Sequence, residues 1–171
     1  MSLETELTAA RAVAEKPAWG AVFAMAFGVF GLITAEFLPV SLLTPIAASL
    51  QVSEGQAGQT VTVTALVALL TSLVIGTLTR RFDRRLVMLA FTLLLIASAL
   101  LVALADSLPM ILLARVLLGM AIGGFWTLST AITMRLVPAE QVPRALSIVF
   151  SGISLATIIA APLGSYLGDV I

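Results

Sequence analysis

From Ala18 onward the chain alternates long apolar stretches with short polar punctuation. A helix that crosses a bilayer needs about 20 mostly apolar residues, which makes each stretch a candidate span. The first begins near Ala18 and runs past Glu36 toward Leu50, with Pro39 and Pro45 predicting a bend or break. A turn at Gln51–Ser53 follows, and Ser53 and Gln56 have the spacing of a capping box for the second span, about Glu54 to Thr79. The third runs from roughly Arg85 to Ala105, with Asp83 as its cap. Asp106 and Ser107 end it, and Pro109 suits the first turn of the fourth, Leu108 to Leu136. Pro138 and Pro143 separate that from the fifth, which reaches about Gly168. The organisation expected is a polar tail over residues 1–17 and a transmembrane bundle over 18–171. Its helices lie at about 18–50, 54–79, 85–105, 108–136 and 143–168.

Composition makes the membrane reading firm. Of 171 residues, 60% are hydrophobic and 11% charged, more apolar surface than a soluble domain of this size could hide. Nine basic residues balance nine acidic ones, so no net charge draws the chain to nucleic acid. The sequence has no cysteine and no histidine, which removes disulfides, thiolate chemistry, the usual zinc ligand and the usual near-neutral base. No metal or cofactor is expected, and no nucleophile–base constellation suggests an enzyme. The tail mixes Glu4, Glu6, Arg11, Glu15 and Lys16, unlike the positive start of a cleaved leader.

The charges between spans predict an orientation. Arg11 and Lys16 precede the first span. Arg80, Arg81, Arg84 and Arg85 lie between the second and third, and Arg135 and Arg144 flank the turn between the fourth and fifth. The alternate loops hold Glu54, Asp106 and Asp169 and no basic residue. Basic residues stay on the cytoplasmic side, so the N-terminus is expected inside.

The spans also hint at a repeat. The first carries an acid, Glu36, and the fourth a base, Arg115. The second has small residues at every fourth position, Thr60, Thr64, Ala68, Ser72 and Gly76, and the fifth repeats this with Gly152, Ala156, Ala160, Gly164 and Gly168. Such ridges let helices approach closely in lipid, although small residues are common in any membrane helix. The third span is Leu-rich, as in Leu93-Leu94-Leu95, which suits a peripheral place facing lipid. The order is charged, small, greasy, then charged, small. A sixth, greasy helix is absent. Secondary carriers are often built from three-helix inverted repeats with the substrate site between them.

Glu36 and Arg115 are the leading functional candidates. An intramembrane charge costs about 2.5–3.5 kcal/mol on insertion scales and marks function by default. Arg keeps its proton at any relevant pH, whereas a buried carboxylate can hold either a proton or another partner. The alternative is a structural ion pair locking the first and fourth spans. Thr34, Ser41, Thr62 and Thr64 offer hydroxyls to a polar substrate, though each can bond its own helix backbone instead. Trp126 lies deep in the fourth span and could stack on a flat ring or simply fill space. The Arg80–Arg85 cluster is most simply a determinant of topology.

Three segments resemble the major facilitator superfamily, specifically its proton-coupled drug-exporter branch. Gly76-Thr-Leu78-Thr-Arg80-Arg81-Phe-Asp83-Arg84-Arg85 stands where that family has its G-x-L-a-D-r-x-G-r-k signature. Arg115-Val-Leu-Leu118-Gly119 is similar to its R-x-x-q-G element, and Ala161-Pro162-Leu163-Gly164-Ser165 to the Gly-Pro motif of antiporters. Arg80 stands for the family's Asp, Asp83 for its second Gly, Leu118 for its Gln, and Ala161 for the Gly before the proline. Glu36-Phe-Leu-Pro-Val-Ser-Leu-Leu-Thr-Pro45, Ser53 to Thr64, Gly123-Gly-Phe-Trp126 and Thr133 to Pro138 look closest to the bacterial purine ribonucleoside efflux pumps.

The resemblance implies an all-α membrane protein, five helices of an N-terminal six-helix bundle without its sixth. It implies export of nucleosides or related small molecules in exchange for protons, across a bacterial inner membrane, with Glu36 and Arg115 in coupling. Thr34, Thr64 and Trp126 are the cavity candidates. The loop with Gly76, Arg80, Asp83, Arg84 and Arg85 would act as a conformational switch, and Pro162 and Gly164 as the antiporter element. The expected partners are substrate, protons, the bilayer and the missing C-terminal half of the carrier. Sugars or drugs are the alternative substrates, and a truncated, non-transporting membrane module is the alternative function.

Overall fold

A computed structural model describes residues 17–78 and 83–170. Apart from Pro17, the expected tail lies outside these, as do Arg80 and Arg81. Six α-helices follow in order: α1 Trp19–Ser41, α2 Leu43–Ser49, α3 Glu54–Leu78, α4 Arg84–Ala103, α5 Leu108–Leu136 and α6 Val142–Val170. A 3-10 turn at Ala139–Gln141 precedes α6. Among the described residues five helices, α1 and α3 to α6, are long and apolar enough to cross a membrane. Helices suit that setting because they satisfy their backbone polar groups internally.

The element ends follow from local chemistry. The first apolar stretch divides at Leu42, and only the short α2 continues it. Pro39 and Pro45 lack the N–H groups that would continue the helical ladder across this point. At the start of α3 the Ser53 N–H donates to Gln56 Oε1 at 3.0 Å, and the Gln56 N–H donates back to Ser53 Oγ at 3.2 Å. The reciprocal pair is a capping box. Asp83 caps α4 by accepting from the Arg85 N–H at 2.8 Å. Pro109 occupies the first turn of α5, where its missing donor would have no partner anyway.

Packing pairs the helices crosswise between the two halves of the chain: α3 lies along α5, α6 along α1, and α4 along the outside of α5. Small residues make both close crossings. An added Cβ on Gly119 would sit 2.7 Å from the Thr64 carbonyl oxygen, and one on Gly123 would meet the Ala68 carbonyl. On the other side, Gly152 lies against the Ala26 carbonyl, and a Cβ on Gly164 would be 2.7 Å from Ser41 Cβ. Thr60 and Thr64 on α3, and Ala156 and Ala160 on α6, are buried along these seams. Ser72 is only half-buried and Gly76 is exposed, so the α3 ridge is tight over its first half.

Many apolar side chains are exposed on the surface of the bundle. On α4 these include Leu89, Leu93 and Leu100, and on α3 Leu69, Leu70 and Leu73. The core is built mainly on α1, α5 and α6, from residues such as Val22, Val29, Leu118, Ala121 and Val149. At the end of the bundle that carries Arg85 and Arg135, the Ala18 N–H donates to the Leu136 carbonyl at 2.7 Å. Arg144 lies over the Trp19 ring, 5.3 Å from its centroid, and reinforces that junction.

Candidate functional site

Glu36 on α1 and Arg115 on α5 line one cavity of about 280 Å³, together with Thr60 and Thr64 on α3. Phe37, Val40, Val61 and Ala65 complete its walls. The tight crossing at Gly119 brings α3 against α5 and so places the two threonines beside the guanidinium. Glu36 and Val40 are one helical turn apart, as are Thr60 and Thr64, so each pair presents one face to the cavity.

Arg115 is buried, with 3% of its surface exposed, yet it does not bond to Glu36. Its Nη1 donates instead to the backbone carbonyl of Ala35 at 3.0 Å. No hydrogen bond or ion pair joins the two charged side chains among the described residues. Arg115 Nε is buried without a partner. The cavity therefore holds a carboxylate with open acceptor capacity and a guanidinium with a spare donor.

The hydroxyls are already engaged as donors. Thr60 donates to the Ala57 carbonyl at 2.7 Å and Thr64 to that of Thr60 at 2.8 Å. Their oxygens keep acceptor capacity for a polar guest. On sequence grounds Thr64 is a cavity candidate, whereas Thr60 enters only as a small residue of the ridge. The fourfold spacing that made the ridge also carries both hydroxyls to the cavity.

The remaining candidates lie elsewhere. Thr34 donates to the Phe30 carbonyl at 2.8 Å and is not part of the cavity lining. Trp126 stacks on Phe150 of α6, with ring centroids 6.0 Å apart, and meets Phe125 edge to face. It too is outside the lining. Gly76 is exposed near the end of α3, Asp83 is the α4 cap, Arg84 begins α4 and Arg85 is exposed. Pro162 is exposed within α6, and Gly164 is buried against Leu38 and Ser41 at the end of α1. A larger, open recess of about 550 Å³ between α1, α4 and α5 has Arg85 and Thr92 as its only charged or hydroxyl lining among the described residues. Its size exceeds that of the Glu36 cavity, but it lacks a pair of opposed charges.

A family model described as Major Facilitator Superfamily matches residues 21–171. The chain belongs to the major facilitator superfamily. It is thus a multi-pass membrane protein, and its five spanning helices form part of that superfamily's bundle. The purine ribonucleoside efflux pump NepI of Salmonella paratyphi B is 56% identical over 156 residues, covering 91% of this chain and 39% of the relative. The pumps of the same name from Salmonella typhimurium and Salmonella enteritidis give the same identity and coverage. The chain thus spans about two-fifths of the length of the curated relatives it matches, 39% in each case. These relatives are named as efflux pumps.

Proposed function

We propose that this chain supplies the first helices of a bacterial inner-membrane exporter that moves purine ribonucleosides outward in exchange for protons. The observation that carries the proposal is the cavity in which Glu36 and Arg115 face the same space without bonding to each other. A structural ion pair would satisfy both groups at once. Here the carboxylate is left to exchange a proton for a polar guest. The names of the relatives support a purine ribonucleoside as that guest.

In this mechanism the carrier alternates between outward- and inward-open states about a midplane cavity, completed by a second bundle. Glu36 takes a proton from the outer side and releases it inside. Arg115 keeps its charge throughout and offers a fixed donor to the guest. Thr60 and Thr64 supply hydroxyl oxygens, and the apolar walls admit a flat base. The loop from Gly76 to Arg85 works as the conformational switch, and Pro162 with Gly164 lets α6 bend beside α1. The placement of all basic loops on one side supports a cytoplasmic N-terminus.

Inverted membrane vesicles containing the complete carrier test the proposal. With an imposed pH gradient, acid inside, they should accumulate labelled purine ribonucleoside, and a protonophore should release it. Accumulation that survives the protonophore would reject proton coupling.

A further inference from the structure

Pro39 bears on the site through the N–H it lacks. In an uninterrupted helix the N–H of residue 39 would donate to the carbonyl of residue 35. Pro39 has no N–H, so the Ala35 carbonyl loses its intrahelical partner. That oxygen is the one Arg115 Nη1 binds at 3.0 Å. Arg115 comes from a residue 80 positions away in sequence, and its guanidinium is held by a backbone acceptor that one proline leaves open. Glu36 is the next residue after Ala35, so the guanidinium is anchored beside the carboxylate without bonding to it.

We infer that Pro39 is a positioning residue for Arg115: by withholding a donor from the Ala35 carbonyl it keeps the guanidinium docked on backbone and the Glu36 carboxylate open for exchange. The inference rests on the proposed role of this cavity in proton coupling. It adds a residue with no ionisable group and no place in the cavity lining. A residue that supplies an N–H at position 39 returns the Ala35 carbonyl to the helix. Arg115 then shares that oxygen with the helix, its bond there weakens, and the neighbouring Glu36 carboxylate competes for the guanidinium.

The test separates the missing N–H from the proline ring. In the complete carrier, Pro39→Ala supplies the N–H, and alanine is a good helix former, so folding should not suffer. Lactic acid at position 39 has alanine's side chain but an ester oxygen in place of N–H. Protons moved per nucleoside exported should fall by half or more with alanine, and return to the wild-type ratio with the ester. An unchanged ratio with alanine, or an equal loss with the ester, would overturn the inference.

A second readout does not depend on transport. Thermal unfolding of wild type, Pro39→Ala, Arg115→Met and the double variant forms a cycle. If Pro39 supplies the acceptor for Arg115, the Arg115→Met change lowers the midpoint less in the alanine background. An additive cycle would overturn the link. A wild-type carrier that moves no protons would reject the proposed function, while the cycle would still decide whether Pro39 holds Arg115.

Discussion

Glu36→Gln is expected to abolish nucleoside accumulation against a gradient while leaving the protein inserted and folded. Glutamine keeps nearly the same shape and can still accept from a bound guest through its carbonyl, but it cannot take up and release a proton. With one proton exchanged, a difference of one pH unit supports roughly tenfold accumulation, since 1.4 kcal/mol corresponds to a factor of ten. The Gln form should bring that ratio to about one. Exchange of labelled for unlabelled nucleoside at equal concentration should persist, because the cavity and Arg115 remain. The measurement is accumulation and counterflow in the same vesicles. A Gln form that still builds the wild-type gradient would remove Glu36 from the mechanism.

The second large effect is expected at a helix crossing. Gly123→Ala would place a Cβ against the Ala68 carbonyl oxygen, with the Ala68 carbonyl carbon and Cα each 3.0 Å away. These are backbone atoms, so no side-chain rotation can relieve the contact, and α3 and α5 must separate. Overpacking of this kind costs about 1–3 kcal/mol, at the upper end where backbone must move. The helix-propensity gain from replacing glycine, about 1 kcal/mol, offsets only part of it. Gly58→Ala on α3 is the matched control, since an added Cβ there meets nothing within 4 Å. Thermal unfolding in detergent should show a lower midpoint for Gly123→Ala and an equal or higher one for Gly58→Ala. Equal midpoints for both variants would mean that the crossing is looser than the structure shows. The displacement would also carry Thr60 and Thr64 away from Arg115, so transport should fall with stability.

Much of the bundle was legible because bilayer and backbone impose simple rules. Apolar runs separated by Asp106, Ser107 and Pro138 mark where helices stop, and Ser53 with Gln56 marks where one starts. Two isolated charges in apolar surroundings drew attention to Glu36 and Arg115, and the structure brings both to one cavity. What the sequence left open was whether they touch. That depends on the relative height and rotation of α1 and α5, which no local pattern encodes.

Thr34 and Trp126, the other cavity candidates, lie outside the Glu36 cavity for geometric reasons. Thr34 is two residues from Glu36, about 200° around the helix, so the two cannot share a face. Trp126 is eleven residues beyond Arg115, nearly on the same face but about 16 Å further along the axis. Its aromatic partner, Phe150, belongs to another helix and carries no signal of pairing in the sequence. The Ala35 carbonyl was readable in principle: a proline inside a helix opens the carbonyl four residues earlier. The sequence alone did not say which side chain would take it.

The proposed activity of this bundle, within a complete carrier, is exchange of protons for purine ribonucleosides. Its most direct test is proton movement in proteoliposomes of the complete carrier that enclose a pH-sensitive dye, with no pH gradient imposed. An added gradient of inosine should drive a proton flux opposite to the nucleoside flux, absent from protein-free liposomes and from the Glu36→Gln form. Nucleoside entry without any proton signal, or a signal that Glu36→Gln leaves intact, would contradict the account.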